Sequence, residues 1–236
     1  MKSIAGRIDT LAWDKITMDL DERGWATTGP VLSDQECAEL TTSYDDDSLF
    51  RSRVVMARHG FGRGEYRYYS YPLPDLVSSL RTSLYRRLVS VANEWRPKLG
   101  GTELYPPQPS DYLHRCHAAG QTRPTPLLLR YGEGDYNCLH QDLYGEHVFP
   151  LQAAFLLAEP GKDFQGGEFV LTEQRPRMQS RVHVVSLSRG EAVIFAVNER
   201  PVLGTRGSYR VRMRHGVSPV RRGQRHTLGI ILHDAA

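Results

Sequence analysis

Residues 127–142 have the sequence LLLRYGEGDYNCLHQD, in which an apolar run, a glycine-containing turn and a His-x-Asp triplet follow one another. The run 127–131 has the length and aliphatic content of a strand, and Gly132-Glu-Gly134 is typical of a turn that follows one. In an extended strand, residues i and i+2 point to the same side. His140 and Asp142 can therefore offer an imidazole and a carboxylate to one metal ion.

Downstream of this stretch the chain has the pattern of a β-rich fold. Short runs of β-branched and aromatic residues are separated by Gly, Pro or Asp, which is typical of strands joined by turns. From residue 127 onward the runs are LLLRY, FPLQAAFLL, EFVLTEQ, VHVVSL, EAVIFAV, SYRVRMRHG and HTLGIIL. Runs at this density predict a sandwich or a double-sheet jelly roll.

Upstream of residue 126 the sequence predicts mainly helices. Apolar spacing, together with the capping box Ser33-x-x-Glu36, predicts helices over 7–25, 33–40, 75–96 and 110–119. The stretch 59–74 is rich in Gly, Tyr and Pro, and we interpret it as a long loop or a short hairpin. Helices followed by strands predict an α+β chain. We expect residues 1–236 to form one domain, in which a mainly helical region, 1–125, packs on one outer face of a β core, 126–236.

The composition is that of an ordinary globular protein, with 40% hydrophobic and 24% charged residues. No apolar run approaches the roughly 20 residues of a membrane span, and the N-terminal sequence MKSIAGRIDTLAWDK lacks the apolar core of a signal peptide. The three cysteines, Cys37, Cys116 and Cys138, are widely spaced and form no CxxC pair. We therefore expect a protein of the reducing cytoplasm that does not bind a membrane.

The net charge is only +3, but the basic residues are unevenly distributed. An arginine-rich segment without acidic residues contains Arg200, Arg206, Arg210, Arg212, Arg214, Arg221, Arg222 and Arg225. The acidic run 45–47 is part of the compensating charge. A segment of this kind favours an anionic partner such as nucleic acid. A solvated strand face, balanced by acids from elsewhere in the fold, is the alternative interpretation, and both stay open.

The His-x-Asp triplet alone is weak, because nine histidines and 27 acidic residues in 236 positions make a chance occurrence expected. Further motifs accompany it in order: Arg130-Tyr131-x-x-Gly134, Gly166-Gly167-Glu168, Gly190-Glu-Ala-Val-Ile-Phe195, and His215 with Arg225 ten residues later. With these motifs, residues 127–233 resemble the 2-oxoglutarate- and Fe(II)-dependent dioxygenase superfamily, notably its prolyl-hydroxylase-like branch. The whole chain also resembles a bacterial family described as predicted oxygenases of damaged DNA. The resemblance implies a double-stranded β-helix core, which is a jelly-roll variant related to the cupins.

Two histidines and one carboxylate on one face of an octahedron leave three positions open, an arrangement diagnostic of non-haem Fe(II) oxygenases. The resemblance assigns these ligand positions to His140, Asp142 and His215. It also implies that Fe(II), 2-oxoglutarate and O₂ take part in the reaction. Substrate C–H bonds would then be hydroxylated, or N-methyl groups removed, with release of succinate and CO₂.

Four further residues are candidates for the cosubstrate site. The resemblance places Arg225 on the far carboxylate of 2-oxoglutarate, which suits the paired donors of a guanidinium. It also places the Tyr131 hydroxyl on that carboxylate, although a core tyrosine is an equally good interpretation. Thr227 lies on the same side of a strand as Arg225 and can add a hydroxyl. Gln152 stands inside an apolar strand and needs a polar partner if it is buried, for which the cosubstrate pocket is one option.

The substrate is left open between three hypotheses. Damaged or modified nucleic acid is favoured by the arginine-rich segment and by the aromatic stretch 66–71, because arginines bind phosphates and tyrosines stack on bases. A prolyl or other protein residue, or a free amino acid, is favoured by the short spacing from His215 to Arg225. The third hypothesis, from another class, is a cupin-like metal- or ligand-binding module without turnover.

Overall fold

The structure, a computed structural model, describes residues 2–205 and 207–236. Arg206 of the arginine-rich segment therefore lies outside the described residues. The described part of the chain forms the α-helices α1 (Ile4–Asp9), α2 (Trp13–Arg23), α3 (Asp34–Thr42), α4 (Asp75–Lys98) and α5 (Pro109–Ala118). None of the described helices is both long enough and apolar enough to cross a membrane.

Strands occur in both halves of the chain. The first seven are β1 (Trp25–Pro30), β2 (Phe50–Val55), β3 (Gly62–Arg63), β4 (Glu65–Tyr69), β5 (Leu127–Tyr131), β6 (Tyr136–His140) and β7 (Leu151–Leu156). The others are β8 (Phe164–Gly166), β9 (Phe169–Gln174), β10 (Arg181–Val185), β11 (Glu191–Ala196), β12 (Glu199–Gly204), β13 (Gly207–Val217), β14 (Val220–Gly223) and β15 (Arg225–Ile231). All seven runs that the sequence predicts as strands are confirmed, as β5, β7, β9, β10, β11, β13 and β15.

Two antiparallel sheets form the core. Over the described residues, the larger sheet has the strand order β1-β11-β7-β15-β5-β4-β2. The smaller sheet has the order β10-β9-β13-β6-β3, with β12 also paired to β13, and β14 pairs separately with β8. Neighbouring strands in these sheets are mostly distant in the sequence, as in a jelly roll. The predicted double-stranded β-helix is therefore confirmed.

Alternation along the strands of the larger sheet gives it two different faces. On β7, Ala153 and Phe155 belong to a core cluster with the helix residues Leu84 and Leu88, while Ala154 packs with the smaller sheet. Because successive side chains of a strand point to opposite faces, one face of the sheet is covered by helices and the other faces the smaller sheet. The prediction that the N-terminal helices pack on one sheet is confirmed.

The prediction of one helix over 7–25 is wrong at two points. The chain breaks between α1 and α2, where the Thr10 hydroxyl donates to the carbonyl of Gly6 and the Trp13 indole donates to the carbonyl of Ile8. These side-chain hydrogen bonds satisfy the carbonyls at the end of α1, so the helix ends there. Gly24 then ends α2 with a left-handed φ of 79°, and Trp25 begins β1.

The stretch 59–74 is neither a plain loop nor a short local hairpin. It contributes β3 to the smaller sheet and β4 to the larger one, where β4 pairs with β5 and β2. The alternation of Tyr66 and Tyr68 on one face is the strand signal, but the glycines at positions 60, 62 and 64 obscure it. Together with β1 and β2, these strands show that residues 1–125 supply edges to both sheets besides the helices.

The predicted capping box is confirmed and extended by an ion pair. Ser33 caps α3, the Glu36 carboxylate accepts from the Ser33 backbone N–H at 2.8 Å, and Arg7 donates to it at 2.7 Å. The hydrogen bond from Arg7 lowers the pKa of Glu36 from 4.5 to about 2, against the opposing effect of burial. This contact ties α1 to the start of α3.

We expect the Glu36→Gln variant to lose about 1 kcal/mol of unfolding free energy at pH 7, because the bonds to Arg7 and Ser33 lose their charge. A carboxylate with a lowered folded-state pKa stabilises above its unfolded pKa, and that stability is lost as the pH falls through the folded pKa. The difference from the natural protein should therefore shrink from pH 4.5 towards pH 2. Urea unfolding at several pH values, followed as a single transition, measures this. Glu39→Gln, at an exposed position of α3, is the control, and a pH-independent difference for Glu36→Gln would contradict the assignment.

Candidate metal centre and cosubstrate pocket

The predicted metal ligands come together at one end of the smaller sheet. His140 is the last residue of β6, and the antiparallel register of β6 and β13 places His215 directly opposite it. The two imidazole rings lie 4.2 Å apart between centroids. Asp142 follows just beyond the end of β6, and one ligand atom from each of the three side chains lies within 4.8 Å of the others. Strand pairing thus joins residues that are 75 positions apart in the sequence.

The carboxylate of Asp142 lies between the two imidazoles. Its oxygens are 3.2 Å from Nε2 of His215 and 3.5 Å from Nε2 of His140. Burial works to raise the pKa of Asp142, but the hydrogen bond with His140 and the charge of His215 outweigh it and lower the pKa well below 3.8. The aspartate is therefore ionised at neutral pH, the form in which a carboxylate binds a metal.

Each oxygen of Asp142 also accepts a hydrogen bond from a neighbour outside the predicted set of metal ligands. The hydroxyl of Tyr144 donates to Oδ1 at 2.6 Å, and the amide of Gln152 donates to Oδ2 at 2.7 Å. Burial, followed by the negative charge of Asp142, raises the pKa of Tyr144 well above 10, so its hydroxyl stays protonated. The Tyr68 hydroxyl donates to that of Tyr144 at 3.0 Å. These bonds hold the carboxylate in one orientation.

The imidazoles are oriented in different ways. Nδ1 of His140 lies 2.8 Å from the carbonyl of Cys138, which leaves Nε2 directed at the carboxylate. His215 is buried, and its ring packs against Phe195 at 4.6 Å and Phe169 at 6.0 Å between centroids. Of the three predicted ligands, His140 is the most open, with 36% of its side chain exposed.

Arg225 is buried and has no acidic partner among the described residues. It begins β15 opposite Tyr131 on β5, and its Nη1 donates to the hydroxyl of Thr227. Its Nε has no hydrogen-bond acceptor in the described structure. Burial lowers the pKa of Arg225 to about 10, which still leaves it charged at neutral pH. A buried cation without a counter-charge is costly, so the pocket fits a carboxylate ligand.

Gly167 makes room for this arginine. It has a φ of 61°, and a Cβ placed on it would come within 2.9 Å of Cδ of Arg225. Position 167 belongs to the Gly-Gly-Glu motif, so the need for space beside Arg225 explains a glycine at this position of the motif. Glu168 of the same motif lies at the surface, where it accepts a hydrogen bond from Ser218.

One cavity of about 330 Å³ contains every residue that the sequence predicts for the site. Its lining includes the three predicted ligands together with Arg225, Tyr131, Thr227 and Gln152. Its other walls are aliphatic and aromatic, and the aromatic residues are Phe61, Tyr66, Tyr68, Tyr144, Phe169 and Phe195. A metal held by the carboxylate and imidazoles and an anion held by the arginine thus fit the same enclosed space.

Sequence reasoning missed three contributions to this site. The hydrogen bond from Tyr144 to Asp142 was not predicted, although the i+2 spacing placed the tyrosine nearby. The packing of Phe169 and Phe195 on His215 was also missed, and so was the spatial role of Gly167. The amide of Gln152 lines the cavity as expected, and the partner it finds there is Asp142.

A double-stranded β-helix with a His-Asp-His group and a buried arginine in one cavity defines the class of 2-oxoglutarate- and Fe(II)-dependent oxygenases. Enzymes of this class use Fe²⁺, 2-oxoglutarate and O₂. The sequence model of a family described as "Oxygenase, catalysing oxidative methylation of damaged DNA" matches residues 64–235, and the chain belongs to that family. Membership of an oxygenase family sets aside the hypothesis of a binding module without turnover.

Other known proteins resemble this chain in sequence or in fold. The uncharacterized protein Rv2227 of Mycobacterium tuberculosis strain H37Rv is 48% identical over 165 residues, covering 70% of this chain and 71% of its own. Among solved structures, a Pseudomonas putida prolyl-4-hydroxylase aligns with a TM-score of 0.54 at 15% identity, covering 92% of this chain and 96% of its own. A Trichoplax adhaerens prolyl hydroxylase aligns with a TM-score of 0.57 at 13% identity, covering 97% and 92%. At these identities the solved structures establish a shared fold.

We expect the Tyr144→Phe variant to bind divalent metal about ten-fold more weakly, because Asp142 loses the hydrogen bond that orients it. Titration calorimetry with Mn²⁺ in the absence of cosubstrate measures this directly. Tyr136→Phe makes the same chemical change at an exposed position of β6 and should leave metal affinity unchanged. Equal affinity in the Tyr144→Phe variant and the natural protein would show that the phenol does not support the ligand.

Proposed function

We propose that this oxygenase binds Fe(II) through His140, Asp142 and His215 and oxidises a modified base in nucleic acid. The observation that carries the proposal is the presence, in one cavity, of three converging metal-ligand atoms and a buried arginine without a counter-charge. The far carboxylate of 2-oxoglutarate is then the ligand of Arg225. Thr227 and Tyr131 lie beside that guanidinium and add hydroxyl groups to the same end of the cavity.

When bound, the metal with 2-oxoglutarate and O₂ supplies the oxidation of a substrate C–H bond, with release of succinate and CO₂. The chain's own residues prepare the site for this reaction. Asp142 stays ionised because two imidazoles and two hydrogen-bond donors surround it. Arg225 fixes the cosubstrate by paired hydrogen bonds, which a planar guanidinium makes better than an ammonium. The aromatic walls exclude water from the reacting groups.

The nucleic-acid substrate is supported by the description of the family and by the chemistry of the cavity. Apolar and aromatic walls suit a flat base that has left its stack. In the arginine-rich segment, Arg200 is buried and paired with Glu173, and Arg225 lies in the cavity. Its exposed members include Arg212, Arg214 and Arg222, and their position relative to the cavity decides whether they can contact phosphate.

The second candidate substrate is a prolyl residue in a protein, or a free amino acid. The ten-residue spacing from His215 to Arg225 favours it, since the prolyl-hydroxylase-like pattern has the same spacing. The fold shared with prolyl hydroxylases agrees with that pattern. The two candidates differ in the product that oxidation leaves, so one assay separates them.

We further propose that residues 1–236 work as one domain in the cytoplasm. Strands from both halves of the chain pair within the same sheets, as β4 does with β5. The three cysteines are free, which agrees with a reducing compartment. A second unfolding transition in urea would contradict the single domain, and fractionation of the protein with the cell envelope would contradict the location.

We expect the natural protein to form succinate from 2-oxoglutarate with Fe(II) and O₂, and His140→Ala to abolish this because one of three metal ligands is lost. Succinate and substrate mass are measured in parallel with methylated oligonucleotides, proline peptides and free amino acids. His114→Ala, at an exposed position of α5, is the matched control. Full turnover in His140→Ala would overturn the metal assignment, and oxidation of a peptide or amino acid alone would overturn the nucleic-acid substrate.

We expect Arg225→Ala to raise the KM for 2-oxoglutarate at least about ten-fold, since a charge-assisted pair of hydrogen bonds is lost. Arg225→Lys should recover part of that loss, because the charge returns without the planar pair of donors. Steady-state succinate formation at varied 2-oxoglutarate measures both. Arg222→Ala, at an exposed position of β14, is the control. An unchanged KM in Arg225→Ala would remove the arginine from the cosubstrate site.

A further inference from the structure

The cavity opens at the surface beside His140. Its deep end is formed by Arg225 and Thr227, which are 2% and 5% exposed. At its outer end, Phe61 is 48% exposed and Leu139 is 44% exposed, and both line the cavity. The Cys138 backbone N–H donates to the Phe61 carbonyl at 2.9 Å, which holds the loop before β3 against β6. This gradient of exposure locates the mouth through which a substrate reaches the metal centre.

An exposed aromatic pair lies at this mouth. The rings of His59 and Phe61 stack with centroids 5.3 Å apart and an angle of 23° between their planes. Covering an exposed aromatic side chain with a flat partner is favourable, because it removes apolar surface from water. An unpaired base offers a free π-face for such stacking, whereas the bases of a duplex are already stacked on each other.

An arginine precedes the aromatic pair on the same loop. Arg58 is exposed and makes no ion pair within the described structure. A charge this open to solvent is weakly compensated, so its guanidinium group is available to an anionic ligand. Arg63 follows the pair on β3, opposite Tyr136. Because its neighbour Gly62 pairs with Asn137, which lines the cavity, Arg63 projects from the other face of the sheet.

A pair of arginines lies on the tyrosine side of the mouth. Arg51 stands over the ring of Tyr68, 4.5 Å from its centroid, and donates to the carbonyl of Pro124. Arg123 precedes that proline and is exposed. The bond to Pro124 therefore brings the backbone at Arg123 next to the Arg51 guanidinium, and two cationic residues stand on this side of the mouth. A phosphate can accept hydrogen bonds from both.

The exposed arginines of β13 face elsewhere. Arg212 and Arg214 alternate with Met213 and His215, and the latter two are buried. Because successive residues of a strand point to opposite faces, Arg212 and Arg214 project from the face of the smaller sheet that is turned away from the cavity. Their neighbour across the sheet is the exposed Val182, which pairs with Thr172 opposite Arg214. A strand of nucleic acid at the mouth does not lie against that face.

We propose that the mouth surface, formed by Arg51, Arg58, His59, Phe61 and Arg123, binds single-stranded DNA and presents one unpaired base to the cavity. This assignment rests on the proposed nucleic-acid function and names the surface that serves it. The three arginines bind phosphates on either side of the opening, and the aromatic pair stacks on a base next to the one inside. The arginines of the outer face contribute no contact to the bound strand.

The test measures binding of a fluorescent single-stranded DNA oligomer by anisotropy at several salt concentrations. The reference is the natural protein loaded with Mn²⁺ and 2-oxoglutarate. Phe61→Ala should weaken binding at least about five-fold, from the loss of one stacked base. The double variant Arg58→Ala with Arg123→Ala should lower the slope of log Kd against log salt by about 1.4, or about 0.7 for each lost phosphate contact. Arg212→Ala with Arg214→Ala removes the same charge from the outer face and should leave affinity and slope unchanged.

The outcomes separate this proposal from the function on which it rests. Equal losses in the mouth and outer-face variants, or no binding of the oligomer by the natural protein, would overturn the mouth surface. Mouth-dependent binding without oxidation of any methylated oligonucleotide would support the surface and overturn the proposed reaction. Oxidation of a methylated oligonucleotide at natural rates by both mouth variants would support the reaction and overturn the surface. Succinate formation without added substrate should stay unchanged in the Arg212→Ala with Arg214→Ala variant, which alters no residue of the cavity lining.

Discussion

The buried carboxylate of Asp142 is the group on which the rest of the site depends. An isolated charge in a protein interior costs several kcal/mol, so its presence requires compensation from nearby polar groups. Four side chains provide it: His140 and His215 from the smaller sheet, Gln152 from the larger sheet, and Tyr144 from the loop after β6. The charge is stable only when both sheets and this loop are in place. The jelly roll and the metal centre are for that reason one structural unit.

The parts of the site that could be predicted from the sequence are those carried by chemically distinctive residues in a fixed order. The pairing of β6 with β13 places His140 directly opposite His215, although they are far apart in the sequence, and β15 brings Arg225 into the same cavity. A family pattern preserves such an order because the topology demands it. Tyr144 could not be assigned in this way. It lies beyond the end of a strand, where the sequence has no periodicity from which the direction of a side chain can be predicted.

The parts of the fold that were missed share a similar cause. β4 joins the larger sheet between β2, which shortly precedes it in the sequence, and β5, which is distant, and glycines precede it. The break between α1 and α2 depends on side-chain bonds of Thr10 and Trp13 that apolar spacing does not express. Counting charges along the sequence does not show where the arginines of the arginine-rich segment lie in the fold. Burial and strand alternation divide its members between the core, the cavity and an outer face.

Gly167 shapes this pocket although it carries no functional group. Its contribution is an absence of atoms, since the space that a methyl group would fill is taken by the methylene chain of Arg225. A substitution there would displace the arginine while leaving every polar group of the site in the sequence. On the proposed assignment, such a variant would keep its metal ligands and bind the cosubstrate more weakly. A position without a side chain can therefore matter as much for a proposed ligand site as the charged residue beside it.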